Sequence, residues 1–177
     1  LKVVEKNKKG NKKILIPEYC PSCSSKIFKD ENEAVLRCDN LFDCESQILG
    51  QVNHFVSKKA INIDGFGERN IKLFYDKKII RNIADIFSIS LNKKEILKLE
   101  GWGELSYDNL IISINKSKKT SLEKFIFSLG IRFFGENTSN LLAKEFADIK
   151  NLIANSNNYD ILSNIDGLGP KAIDSII

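Results

Sequence analysis

A short glycine-bearing turn recurs four times along this chain. Its copies are Ile63-Asp64-Gly65-Phe66-Gly67, Leu99-Glu100-Gly101-Trp102-Gly103, Leu129-Gly130-Ile131-Arg132-Phe133-Phe134-Gly135 and Ile165-Asp166-Gly167-Leu168-Gly169. The closing glycines stand 36, 32 and 34 residues apart. A period of that size marks repetition of one supersecondary unit. The stretches after the turns have helical spacing: Ile71, Leu73 and Phe74; then Leu110, Ile111 and Ile114; then Leu141, Leu142 and Phe146. Phe55, Val56 and Ala60 can share a helix face before the first turn, and Leu122, Phe125, Ile126 and Leu129 fall at i, i+3, i+4 and i+7. Thr120 with Glu123 reads as a capping box, Asn92 with Glu95 as a second cap, and Pro170 as the first turn of a final helix that the chain end cuts short. The expected fold of residues 51–177 is therefore all-helical, with helix pairs joined by tight turns.

Four cysteines precede this array, and the chain has no others. Cys20 and Cys23 form a close pair, fourteen residues separate Cys23 from Cys38, and five separate Cys38 from Cys44. A knuckle of two thiolates and a loop that returns two more can close a tetrahedron around one ion. Structural zinc is the favoured reading; two disulfides or an iron–sulfur cluster would use the same residues. Four thiolates fill the coordination sphere and leave no open position for catalytic water. His54, the single histidine, lies beyond a complete ligand set and is expected to pack or cap a helix. Residues 19–50 are too few to bury a core of their own, so metal would have to hold them. Ala34-Val35-Leu36-Arg37 is expected to be a strand leading into Cys38.

The segment before the cysteines reads as two short strands, Lys2–Glu5 and Lys13–Ile16, around a polar turn. Lys2, Lys6, Lys8, Lys9, Lys12 and Lys13, set against Glu5 and Glu18, account for the whole net charge of +4. The rest of the chain is balanced, so any polyanion must be held by local geometry and not by a broad basic surface. Hydrophobic content of 42% and charged content of 28% are ordinary for a globular protein, and no apolar run approaches a membrane span. The chain opens on Leu1, and a fragment beginning near the end of a β domain is expected.

The turns carry the chemistry. Glycine permits positive φ and lets a ligand approach the backbone. The helix that follows presents unpaired amides and the positive end of its dipole, where phosphate is stabilised without a basic side chain. Successive turns of this kind can grip phosphates along a duplex without reading sequence. Glu104 follows the second turn and would repel phosphate. The third is longer, with Ile131-Arg132-Phe133-Phe134 between its glycines. Contact is therefore expected mainly at the first and fourth turns, where Arg69 and Lys171 follow.

The glycine turns resemble the helix-hairpin-helix motif. The cysteine spacing, His54-Phe55-Val56-Ser57-Lys58-Lys59-Ala60, Ile63-Asp64-Gly65-Phe66-Gly67 and Leu129-Gly130-Ile131-Arg132 together resemble bacterial NAD-dependent DNA ligase, in the family's order and over essentially the whole chain. The resemblance implies a mainly α fold. Residues 1–18 would be the tail of an oligonucleotide-binding β-barrel, 19–50 a zinc finger held by Cys20, Cys23, Cys38 and Cys44, and 51–177 a helix-hairpin-helix domain. It implies DNA contacts at Gly65, Gly67, Arg69, Gly101, Gly103, Gly130, Arg132, Gly135, Gly167, Gly169 and Lys171. It further implies a monomeric, cytoplasmic enzyme of replication and repair, working with the nucleoid on nicked duplex. That enzyme uses NAD and Mg2+ or Mn2+ in other domains of the same chain. The family's Lys-x-Asp-Gly nucleophile is missing: Asn62-Ile63 precede Asp64-Gly65 and Asn164-Ile165 precede Asp166-Gly167. A BRCT domain is missing too. The implied role is to hold nicked duplex without ligating it alone. A self-standing zinc and helix-hairpin-helix repair protein, or a protein-interaction scaffold whose turns are only structural, would share these features.

Overall fold

The computed structural model describes residues 16–29 and 35–177. The chain divides into two compact units, Leu1–Glu45 and Ser46–Ile177. The strands expected within residues 1–15 lie outside the described residues.

In the first unit, β1 (Ile27–Lys29) pairs antiparallel with β2 (Leu36–Cys38), with Ile27 opposite Cys38 and Lys29 opposite Leu36. Strand β2 is shorter than expected: Val35 lies outside it and Ala34 outside the described residues. A single bridge, Tyr19 to Lys26, extends the ribbon toward the first cysteine pair. Two strands alone are marginal in water. Among the described residues of this unit, only Cys20 and Cys44 are buried, while Tyr19, Phe28, Leu36 and Phe42 are exposed. Among the described residues, no apolar side chain holds the ribbon together from inside.

The second unit is helical. Its order is α1 (Glu45–Val56, whose first residue closes the preceding unit), α2 (Glu68–Asp76), a 3-10 helix (Ala84–Asn92), α3 (Lys93–Ile96) and α4 (Glu104–Ser117). Then come α5 (Leu122–Ser128), α6 (Glu136–Phe146), α7 (Ile149–Asn155), α8 (Tyr159–Ser163) and α9 (Pro170–Ile176). The four turns join α1 to α2, α3 to α4, α5 to α6 and α8 to α9. The first two hairpins share one core, which includes Phe55, Phe66, Ile71, Phe74, Leu110 and Ile114. The last two share another, with Ile126, Phe134, Leu142, Phe146, Leu162 and Ile173. Each hairpin's own apolar faces are too few to form a core, and pairing supplies the missing wall.

Several local expectations change. Helix α1 ends at Val56, and Ala60 is buried in the loop beyond it, not on the helix. There the amides of Ile61 and Ile63 donate to the carbonyls of Phe55 and Val56. Ser121, not Thr120, is the N-cap residue of α5, one place later than the box predicts. Its side chain hydrogen-bonds Glu123 and holds that carboxyl below its ordinary range. Leu129 lies just past the end of α5 and is exposed. Pro170 does occupy the first turn of α9.

Candidate metal centre and hairpin surface

The four cysteine sulfurs lie within 4.8 Å of one another. Cys20 Sγ and Cys44 Sγ are 3.9 Å apart, and Cys23 Sγ and Cys38 Sγ 3.5 Å. A zinc tetrahedron with metal–sulfur bonds of about 2.3 Å has sulfur–sulfur edges of about 3.8 Å. The cluster therefore fits a zinc ion, and all four thiols are free of disulfide bonds. The backbone builds each knuckle. The Cys20 amide donates to the Ser25 carbonyl at 2.7 Å, and Ser24 adopts φ 59° to turn the chain back. The Cys44 amide donates to the Asn40 carbonyl at 3.1 Å.

Hydrogen bonds from the side chain and backbone of Ser25 hold the Cys23 thiol down at about 6. At Cys38 a backbone hydrogen bond from Asn40 favours the thiolate, but lost solvent and the crowding of Cys23, Cys20 and Cys44 outweigh it and push that thiol up to about 12. A thiolate at one of these crowded positions thus resists a second beside it. Metal binding at such a site releases protons.

The hairpins repeat one backbone. Gly65, Gly101 and Gly167 have φ of 78°, 79° and 84°, and two residues later Gly67, Gly103 and Gly169 are extended N-caps. In the third hairpin the N-cap is Gly135, but the positive φ two residues before it falls on Phe133, at 63°; Gly130, further upstream, is also at 63°. The third turn is therefore not longer than the others. Its frame is Ile131-Arg132-Phe133-Phe134-Gly135, and the Phe134 amide donates to the Ile131 carbonyl at 3.0 Å, just as Trp102 donates to Leu99 and Leu168 to Ile165. Positive φ at the third position of such a turn normally calls for glycine. A phenylalanine there is strained by roughly 1–2 kcal/mol.

Gly130 belongs to the end of the preceding helix. A Cβ at that position would lie 3.2 Å from the His54 ring. His54 itself donates through Nε2 to the Phe127 carbonyl at 2.8 Å and meets the Phe127 ring edge-on, so it serves packing as expected. Gly67, Gly103, Gly135 and Gly169 are different. Their φ values suit any residue, and a Cβ would meet nothing within 4 Å. Neither backbone strain nor packing explains glycine at these four places.

The surroundings of the turns differ. In the second, the Gly103 amide donates to Ser106 Oγ at 2.9 Å, so that donor is already engaged. Glu104 pairs with Lys93 at 2.7 Å, and this hydrogen bond raises the Lys93 pKa. In the first, the Asp64 amide donates to Ser113 Oγ at 2.7 Å, and Asn70 Nδ2 donates to the Gly65 carbonyl at 2.8 Å. Arg69 is exposed beside that turn and, with Asp64, Gly65, Glu100 and Gly101, lines a cleft of about 580 Å³ between the first two hairpins. In the third, Glu136 pairs with Lys59 at 3.1 Å. Arg132 lies over the Phe133 ring at 4.8 Å, and Lys171 of the fourth hairpin lies over the same ring at 5.7 Å. The sequence reading placed Arg132 and Lys171 on separate hairpins and missed Phe133. Aligning the four closing glycines would have put Phe133 opposite Gly65, Gly101 and Gly167.

A four-thiolate clip and paired glycine hairpins define a zinc-finger and helix-hairpin-helix chain. Residues 124–177 match the helix-hairpin-helix motif family, and residues 19–45 match the NAD-dependent DNA ligase C4 zinc finger domain. Hairpins one and two lie outside the first of these matches but repeat its backbone. The chain is 44% identical to a DNA ligase of Pelagibacter ubique over 98% of its own length and 27% of that relative. It is 39% identical to one of Neorickettsia sennetsu (95% and 26%) and 42% identical to one of Ehrlichia canis (98% and 27%). It is thus similar to these DNA ligases over nearly its whole length, and it spans about a quarter of the curated relatives it matches. Among the described residues no helix is long and apolar enough to cross a membrane.

Proposed function

We propose that this chain is the DNA-holding part of an NAD-dependent DNA ligase, gripping nicked duplex through the hairpins while other domains of the same protein carry out the sealing. The observation that carries this reading is the set of four N-cap glycines with unstrained φ and open space around them. Glycine is a tolerated N-cap, but Ser, Asp or Asn would cap as well or better; glycine at all four places suits a ligand that must come close to the backbone, and the amides opening the following helices are suited to phosphate. On this reading residues 1–18 end an oligonucleotide-binding barrel, 19–50 form the zinc finger, and 51–177 contact DNA through Gly65, Gly67, Arg69, Gly101, Gly103, Gly130, Arg132, Gly135, Gly167, Gly169 and Lys171. NAD and Mg2+ or Mn2+ act in the other domains, and the enzyme works as a monomer in the cytoplasm.

Gly67→Val and Gly169→Val test the grip. Valine tolerates the extended φ at both positions, so the variants should fold. Duplex affinity should fall by about tenfold or more, similarly for unrelated sequences, because no base edge is read. Replacing Lys8 and Lys9 should matter less. Unchanged binding by folded glycine variants, with binding lost in the lysine variant, would make the hairpins mere turns. Because the Lys-x-Asp-Gly motif is missing, incubation with NAD and a divalent metal should give no lysine–AMP adduct. Mass spectrometry showing such an adduct would overturn this division of labour.

A further inference from the structure

Hairpin three departs from the other three at two adjacent positions. Where they carry Asp64, Glu100 and Asp166, it carries Arg132; where they carry glycine at positive φ, it carries Phe133. The first change reverses the charge at the turn. The second accepts backbone strain that glycine would remove. Strain kept at one place in a repeated element calls for a use of the side chain. The Phe133 side chain is not consumed by the core: the residue is 43% exposed. Its visible partners are the Arg132 guanidinium at 4.8 Å and the Lys171 ammonium at 5.7 Å from the ring centroid.

We propose that Arg132, Phe133 and Lys171 form one side-chain phosphate clamp spanning hairpins three and four, in which the ring draws the two cations together at the edge of one site for a single backbone phosphodiester. The proposal rests on the DNA-holding reading above and adds a grip of a different kind to it. Arg132 is half-buried and Lys171 exposed, and two cations near each other repel unless something draws them together. An aromatic face attracts both. An incoming phosphate then meets a pre-assembled pair, and the repulsion between the cations becomes attraction to a shared anion. The ring is not laid out as a stacking platform for a base, because the cations already lie over it. The net-neutral composition beyond residue 18 gives the clamp added weight: a chain with no broad basic surface takes its salt dependence from a few placed cations.

The test measures affinity of the full chain for a short mixed-sequence duplex across a salt series. Arg132→Gln and Lys171→Gln should each reduce the slope of log affinity against log salt by about one. Phe133→Leu keeps an apolar side chain but removes the aromatic face; it should weaken binding about three-fold at low salt and make the two cation substitutions closer to additive. Thermal unfolding checks that each variant folds, and the two glutamine variants carry the test if Phe133→Leu does not. Unchanged slopes in both glutamine variants, alongside lost binding in Gly67→Val, overturn the clamp and leave the hairpin reading standing. A wild-type chain without salt-dependent duplex binding overturns both.

Discussion

The two units of this chain solve the problem of cohesion in opposite ways. In the first, the buried residues among those described are Cys20 and Cys44, which are themselves metal-ligand candidates. In the second, Ile71, Phe74, Ile86, Ile89, Ile96, Leu142 and Leu162 are wholly excluded from solvent. A ribbon of two three-residue strands removes little apolar surface from water, and its large side chains Phe28, Leu36 and Phe42 remain exposed. The helical unit removes enough for the hydrophobic effect to hold it. Size decides the difference: below a certain number of residues, coordination bonds replace a core.

The largest test of that contrast is metal removal. Zinc bound by four cysteines contributes on the order of 10 kcal/mol, so chelation should unfold the unit around Cys20–Cys44 while the far-ultraviolet helical signal persists. About one zinc per chain by elemental analysis is the starting point. Collapse of the helical signal on chelation would show that the second unit does not stand on its own core. A smaller effect runs the other way. Phe74 is fully buried against Phe66 and Trp102. Phe74→Ala should destabilise the helical unit by about 3–5 kcal/mol, with zinc content unchanged. Zinc lost along with the helices would mean that the metal site depends on them. Smallest is the thermal cost of Gly67→Val. Valine is a poorer N-cap than glycine but fits the backbone, so a loss of about 1 kcal/mol or less is expected in thermal unfolding. A much larger loss would mean the open space at Gly67 is needed for folding after all.

The two units were also unequally legible. Cysteine spacing pointed to the tetrahedral cluster, because two close pairs joined by one loop of ordinary length can bring four sulfurs to one ion. Three of the four turns could be framed from sequence because only glycine takes their φ cheaply. The third could not, since Phe133 hides the position and Gly130, two places before Arg132, offers a false opening. The 3-10 helix at Ala84–Asn92 has no 3.6-residue apolar stripe to announce it. Neighbouring Thr120 and Ser121 offer equivalent hydroxyl caps one residue apart, and the N-cap falls on the second. Lys171 reaching the ring of Phe133 was beyond sequence reasoning altogether, because it depends on how one hairpin pair folds against itself.

The positive φ of Phe133 bears on how this protein could be re-engineered. A designer seeking a sturdier version would average the four turns, and the average writes an acidic residue at 132 and glycine at 133. That change would relieve roughly 1–2 kcal/mol of backbone strain. It would also erase the one cation and the one aromatic ring that the four turns carry at these two positions. Consensus engineering treats the odd repeat as noise; in this array the odd repeat is the one whose side chains carry information.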